Sequence, residues 1–149
     1  MTIPASTVPA AKLYLYNGIT TLINDPAVLV CYDEPGPNQP DDIVMVGDVE
    51  RLVAPYQMVG SGQAGWLDEE YTVEVVVSCY RGGDDARTVF ERACVLADQV
   101  VYVTRSDPSL GGAVVLAHPQ TVRYGSQWDD KHLGRIVTVT VDVRCRARI

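Results

Sequence analysis

The chain has 149 residues, of which 47% are hydrophobic and 21% charged, and its formal net charge at pH 7 is −7. This length and composition predict one globular domain over residues 1–149 and exclude a disordered chain, and the negative charge argues against a protein that wraps nucleic acid by neutralising phosphates. No apolar run reaches the roughly 20 residues of a membrane span, and no signal peptide is evident, so we expect a soluble product of a cytoplasm.

The first predicted element is a helix over about residues 7–23, which Ser6 caps and Asp25-Pro26 ends. Its apolar stripe is Leu13, Tyr16, Ile19 and Ile23. Residues 27–32 form a short valine-rich run that is typical of a buried strand.

An acidic exposed loop is predicted next, because residues 33–42 contain three prolines and four acids. Residues 43–58 then predict one or two strands with a turn near Gly47-Asp48, and a second mobile loop is expected near residues 59–67.

The second half of the sequence predicts a strand over residues 70–80, a helix from Asp84-Asp85 to about Thr104, and two further strands. The first of these strands runs from residue 113 to residue 124, with an irregularity at Pro119. The last strand alternates most clearly, with Val137, Val139, Val141, Val143 and Cys145 on its buried face. Adjacent strands in this order favour an α+β fold, in which a mostly antiparallel sheet packs against two helices in a single domain.

Motifs for catalysis or cofactor binding are weak. Residues 60–65 match the glycine pattern of a dinucleotide site, but a predicted strand follows them where that chemistry requires a helix. The acids after Gly82-Gly83 are better placed to cap a helix than to bind a metal, and the four cysteines lack the close spacing of a zinc site. We therefore expect no enzyme activity, no metal and no cofactor.

Charge is unevenly distributed. Residues 1–70 carry a net charge of −8, residues 71–149 carry +1, and the last six residues contain three arginines. Arg144 and Arg146 lie on the exposed face of the last strand, which suits ion pairs with an acidic surface such as Asp41-Asp42. These charges favour head-to-tail contact between copies, although a solvated surface without such a role is the simpler interpretation.

Residues 71–149 resemble the tail terminator and tail completion proteins of long-tailed bacteriophages. The resemblance lies in the strand ending Ser78-Cys79-Tyr80, the following Arg-Gly-Gly-Asp-Asp and helix, the Asp-Pro-Ser-Leu-Gly-Gly turn at residues 107–112, and the Arg-rich terminal strand. The turn is the most specific part of it.

This resemblance implies a structural virion protein, made in the host cytoplasm, that forms a homo-oligomeric and usually hexameric ring at the head-proximal end of the tail tube. Such a ring stops tube polymerisation and joins the tail tube protein to the head–tail connector, while genomic DNA passes through the lumen without specific binding. An acidic lumen suits that passage, since like charge provides no phosphate-binding term. The candidate contact residues are Asp41, Asp42, Trp66, Glu69, Trp128, Arg144, Arg146 and Arg148.

Two alternatives remain open. The first is another neck component, such as a head-completion, connector or minor tail protein. The second is a small enzyme or ligand-binding domain, which would need a convergent polar pocket.

Overall fold

Among the residues that the computed structural model describes, five strands form one sheet and two helices pack against one of its faces. These residues are 3–57 and 66–149, and for residues 56, 57 and 66 the backbone alone is described. The elements in chain order are α1 (Val8–Ile23), β1 (Val28–Tyr32), β2 (Asp42–Gln57), β3 (Trp66–Gly82), α2 (Ala86–Ser106), β4 (Leu116–Trp128) and β5 (Gly134–Arg148).

The strand order in the sheet is β1-β2-β3-β5-β4, and every neighbouring pair is antiparallel except β1 and β2. This arrangement confirms the predicted α+β class, with a mostly antiparallel sheet against two helices.

The two central strands supply most of the sheet's contribution to the core. The predicted alternation is confirmed, because the odd-numbered residues of β3 from Tyr71 to Cys79 and those of β5 from Val137 to Cys145 are fully buried. These two rows are neighbours in the β3–β5 register, so the valines pack side by side beneath the helices. Each such side chain contributes about 1.5–3 kcal/mol by leaving water.

Strand β2 is one continuous strand of 16 residues, which is the first of the two predicted alternatives. The expected turn near Gly47-Asp48 is instead an irregularity in the β2–β3 register between Val46 and Val49, so the chain continues as one strand. Because β2 begins at Asp42, the acidic loop ends one residue earlier than predicted.

Strand β3 also begins earlier than predicted, since its first residue is Trp66. The expected loop near residues 59–67 is therefore wrong at its last two residues, which are strand. Its other residues lie outside the described part of the chain.

The buried face of α1 is rotated from the predicted one, whereas most of the face predicted for α2 is confirmed. In α1 the buried row is Ala11, Leu15, Ile19 and Ile23, whereas Leu13 is 50% exposed. For α2 the sequence predicts an apolar stripe of Val89, Phe90, Ala93, Leu96, Ala97, Val100 and Val101. Five of these residues are buried, whereas Phe90 is 38% exposed, and Val103 is buried as well. The cause of the rotation in α1 is contact between the two helices: a Cβ on Gly18 would lie 2.8 Å from Val103 Cγ1, so Gly18 permits their close approach. Neither described helix is long and apolar enough to cross a membrane.

The turn after α2 is held by the carboxylate of Asp107. It accepts hydrogen bonds from Ser109 N at 3.1 Å, Ser109 Oγ at 2.6 Å and Gly111 N at 3.0 Å. The buried Leu110 and the two glycines all have positive φ, and a Cβ on Gly111 would lie 3.1 Å from the Tyr14 ring. The Asp-Pro-Ser-Leu-Gly-Gly sequence is therefore a turn that also packs against α1.

Gly134 allows β5 to start beside the end of β3. A Cβ there would lie 2.5 Å from the carbonyl oxygen of Arg81 and 2.7 Å from the Tyr80 ring. We expect Gly134→Ala to lower the free energy of unfolding by about 2 kcal/mol, because backbone must move to relieve the clash. Gly125→Ala is the matched control on β4, where an added Cβ would lie 3.9 Å from the carbonyl oxygen of Thr138. Urea unfolding of both variants would measure the difference, and equal stabilities would contradict the expectation.

Candidate assembly surfaces

The sheet face opposite the helices, here called the open face, carries ion pairs between neighbouring strands. Arg144 Nη2 lies 2.5 Å from Glu70 Oε2, and Arg123 Nη1 lies 3.1 Å from Asp142 Oδ2. A further pair joins Arg148 Nε to Asp68 Oδ1 at 3.0 Å. The open face is therefore polar, and much of its charge is neutralised within the chain.

The three predicted contact arginines of β5 occupy different surroundings. Arg144 and Arg148 have acidic partners on β3 of their own chain, whereas Arg146 is exposed and, among the described residues, has no ion pair. The expected pairing of Arg144 with an acidic surface is thus met inside the chain by Glu70, rather than by Asp41-Asp42.

Glu69 lies inside the protein, contrary to its prediction as a surface contact. Glu69 is 0% exposed. Its carboxylate accepts hydrogen bonds from Thr7 N at 2.7 Å, Thr7 Oγ1 at 2.6 Å, Ser6 Oγ at 2.8 Å and Arg51 Nε at 2.7 Å. Thr7 Oγ1 also contacts the Tyr71 hydroxyl at 2.8 Å. Thr7 is the N-cap residue of α1, but its side chain makes no capping hydrogen bond. The Glu69 carboxylate on β3 instead accepts from the backbone N–H of Thr7 and so caps the start of the helix.

The environment of Glu69 favours its ionised form. Burial by itself raises the pKa of this carboxyl, but the hydrogen bonds from Thr7, Ser6 and Arg51 outweigh burial and hold the pKa below its ordinary value. Burial also raises the pKa of Tyr71 to about 12, so its hydroxyl stays neutral. Glu69 therefore joins the first turn of α1 to β2 and β3 as a charged internal link.

Asp41 and Asp42, predicted together as contacts, separate in the structure. Asp41 is exposed, whereas Asp42 is 4% exposed. The Asp42 carboxylate accepts from Arg81 Nη1 at 2.6 Å and Nη2 at 2.9 Å, and from Arg92 Nε at 3.2 Å. Arg92 also reaches Asp25 at 3.1 Å. Asp42 is thus a structural ion-pair centre that joins β2, β3 and α2.

The same balance applies to Asp42 as to Glu69. Burial raises the pKa of Asp42, but hydrogen bonds from Arg81 and Arg92 outweigh it, so the pKa lies below its usual value. Burial raises the pKa of the adjacent Cys79 thiol to about 12, and the charge of Asp42 adds to this shift. Cys79 is therefore an inert buried thiol.

The acidic loop lies over the open face next to β1. Its first residue, Asp33, pairs with Lys12 of α1, whose ammonium also lies 4.4 Å from the centre of the Tyr32 ring. Between the loop and the sheet is a groove of about 590 Å³ with Ile43, Met45 and Val76 in its lining. The loop is thus attached to the helix layer at its start.

The two predicted tryptophan contacts are described to different extents. Trp66 is the first residue of β3, and its side chain lies outside the described atoms. Trp128 ends β4 and is half-buried. The Arg135 guanidinium stacks 3.9 Å from the centre of its ring, and the centre of the His132 ring lies 5.8 Å from it. Part of the Trp128 surface is therefore occupied by its own chain.

Sequence reasoning missed the partners of both buried carboxylates, which are Ser6, Thr7, Arg51, Arg81 and Arg92. One signal was present for Glu69, since it precedes Tyr71 by two residues and therefore shares the buried face of β3. No local signal marks Asp42, whose partners lie far along the chain.

Acidification is expected to destabilise the fold through these two carboxyls. Their pKa values are lower in the folded state than in the unfolded chain, so the stability they contribute is present above their unfolded pKa values and is lost as the pH falls through the folded ones. We expect the unfolding free energy to decrease below about pH 4. Urea unfolding from pH 7 to pH 3 would measure it, and a Glu69→Gln/Asp42→Asn double variant should have a shallower slope. An unchanged slope would contradict this assignment.

Comparisons with known proteins give a likeness in structure but none in sequence family. No family model matches the chain, and no curated protein matches it. The chain is similar to a solved structure described as the virion of a native gene transfer agent particle, with 15% identity, a TM-score of 0.45, and coverage of 97% of this chain and 100% of that one. Within the described residues no group of three or more His, Cys, Asp and Glu side chains is arranged to hold a metal ion. A proposed function therefore rests on the motifs and surfaces of this chain.

Proposed function

We propose that this chain is a non-enzymatic structural virion protein, the tail terminator of a long-tailed bacteriophage. Copies of it form a ring at the head-proximal end of the tail tube, stop tube polymerisation and dock on the head–tail connector. The main support is the resemblance of residues 71–149 to that family, centred on the turn at residues 107–112, in which Asp107 organises the backbone and Gly111 packs on Tyr14.

The surfaces of the chain support a role in assembly. Among the described residues the helices cover one sheet face, and the edge strands of the sheet are β1 and β4, with the part of β2 beyond residue 46 extending past β1. A ring requires heterologous contacts, in which one patch of each copy meets a different patch of the next.

Charge supports passage of DNA without binding. The chain carries −7 overall, and the arginines of the open face are largely paired with Glu70, Asp142 and Asp68. Such a surface provides few free cations for phosphate contacts, which supply most of the non-specific affinity for DNA.

The experiment is native mass spectrometry and negative-stain imaging of the purified protein, followed by mixing with isolated tail tubes. We expect a ring of about six copies of the 16.3 kDa chain that caps tube ends and stops further growth. Rings that bind the head's portal complex but leave tube growth unchanged would favour another neck component. A monomer at high concentration would contradict both roles, and tight binding in a small-molecule screen would favour a ligand-binding domain.

A further inference from the structure

Within the described part of the chain, strand β2 has a free edge over the second half of its length. Strand β1 pairs only with residues 42–46 of β2, and in the described chain no strand other than β3 pairs with β2 from Val49 to Gln57. Residues 51–55 are all exposed, and among them Leu52 is 58% and Val53 is 46% exposed. An unpaired edge with consecutive apolar side chains is a template for another strand.

Strand β4 has a second free edge on the opposite side of the sheet. Its beginning is covered, because Ala117 N donates to the carbonyl oxygen of Pro108 at 2.7 Å. From Thr121 to Gln127, β4 pairs with β5 alone among the described strands, and only Val122 of this segment is partly buried. The available part of β4 is therefore its second half.

The two free edges have compatible directions. Successive antiparallel pairing from β2 through β3 and β5 to β4 makes β4 run opposite to β2. A second copy placed beside the first in the same orientation therefore brings its β4 antiparallel to the free edge of β2. No two-fold rotation is needed, so the contact is heterologous and repeats from copy to copy.

The covered parts of the two edges determine how copies fit together. Strand β1 occupies the first half of the β2 edge and Pro108 covers the beginning of β4, so only the two remaining halves can meet. They lie at opposite ends of the sheet, because the register places Leu52 level with Leu116 and Val46 level with Val122. Pairing them staggers adjacent copies along the strands, and closing strands into a ring requires such a stagger and tilt.

Side-chain chemistry agrees with this pairing. On β2 the exposed Glu50 lies at the free edge, and on β4 the Arg123 side chain remains 60% exposed in its ion pair with Asp142. Glu50 pairs with Thr72 and Arg123 with Thr140, so both lie on the open face. Opposite charges on one face of paired strands are favourable.

We propose that residues 121–127 of β4 in one copy add as an antiparallel strand to the free edge of β2, residues 49–57, in the next copy, and this contact rests on the ring proposed above. Its occupant is a second copy of this chain, because the chain carries both edges with matched direction and opposite charge.

The first test places lysines on the edge. We expect Leu52→Lys/Val53→Lys to reduce ring yield in native mass spectrometry by about tenfold or more at fixed concentration, because lysine on an edge strand opposes strand addition. Val95→Lys is the control, since Val95 is a 51% exposed valine on α2 and belongs to neither edge strand. Circular dichroism and thermal unfolding confirm that each monomer remains folded.

The second test maps the contact directly and does not depend on loss of assembly. Leu52→Cys is co-expressed with Gly125→Cys or with Arg123→Cys, all three positions lying on the open face, and the rings are oxidised. We expect a mixed disulfide between copies for one of the two pairs and none for the unmodified chain or for either single variant alone.

The outcomes distinguish the contact from the function. Rings that persist in the lysine variant, or rings without either mixed disulfide, overturn this contact and leave the proposed function standing. Self-linked Leu52→Cys copies would overturn it in favour of a two-fold pairing of β2 edges. Monomers of the unmodified protein would overturn the proposed function and this contact with it.

Discussion

Replacing Glu69 with alanine is expected to lower the free energy of unfolding by about 3–4 kcal/mol. The change removes the acceptor for Thr7 N, two hydroxyls and the Arg51 guanidinium at once. Each buried donor left without a partner costs about 1–3 kcal/mol, and loss of a helix cap adds about 1 kcal/mol. Arg51 is 35% exposed in its side chain, so it regains water and contributes the least to the loss.

The next residue provides the control for this measurement. Glu70 carries the same charge, but its side chain is 46% exposed and paired with Arg144, so we expect Glu70→Ala to cost less than about 1 kcal/mol. Urea unfolding at pH 7 compares the two variants. If Glu69→Ala proved no more costly than Glu70→Ala, the internal link between α1 and the sheet would be disproved.

Replacing Asp42 with alanine is expected to cost about 3 kcal/mol. The Asp42 carboxylate is nearly inaccessible and receives two hydrogen bonds from Arg81 and one from Arg92. Removing the buried carboxylate takes the counter-ion from two guanidinium groups, whose side chains are 36% and 31% exposed and therefore regain part of their solvation. The expected loss of about 3 kcal/mol is for this reason at the low end of the range for a fully buried pair. Arg92 retains Asp25, so part of the network survives.

Asp41 is the matched control for that variant, since it is adjacent, identical in charge and exposed. We expect Asp41→Ala to change stability by less than about 0.5 kcal/mol. Thermal and urea unfolding of both variants would measure the contrast. Equal losses would indicate that the Asp42 network contributes little beyond a surface ion pair.

Local periodicity was sufficient for the central sheet. The alternation from Tyr71 to Cys79 and from Val137 to Cys145 predicted both buried faces correctly, because side chains on a strand point alternately to its two sides. The irregularity at Pro119 was also confirmed, as a register shift between Pro119 and Thr121. These features depend on neighbours in sequence or on one adjacent strand.

The buried face of α1 required knowledge of the packing partner. Leu13 fits a helical apolar stripe as well as Leu15 does, yet only Leu15 is buried. The choice is made by α2, since Gly18 is where α1 approaches Val103 closely and this contact orients the helix. A single-sequence pattern records spacing but not which element lies opposite.

The candidate contact residues show the same division. Glu69 and Glu70 are adjacent identical acids, and one is an internal helix cap while the other forms an open-face ion pair. Strand parity distinguishes their faces, but it does not supply Ser6 and Thr7, which are more than 60 residues away. Their arrival depends on how α1 lies across the sheet.

The sequence by itself determined the element types, the buried faces of β3 and β5, the acidic loop and the uneven distribution of charge, because these follow from local periodicity and composition. Only the tertiary structure decided that Asp42 and Glu69 are internal, that Arg144 is paired within its own chain, and that free strand edges lie at opposite ends of the sheet. The physical reason is that burial, ion pairing and edge coverage are relations between distant segments, which appear only when the chain is packed.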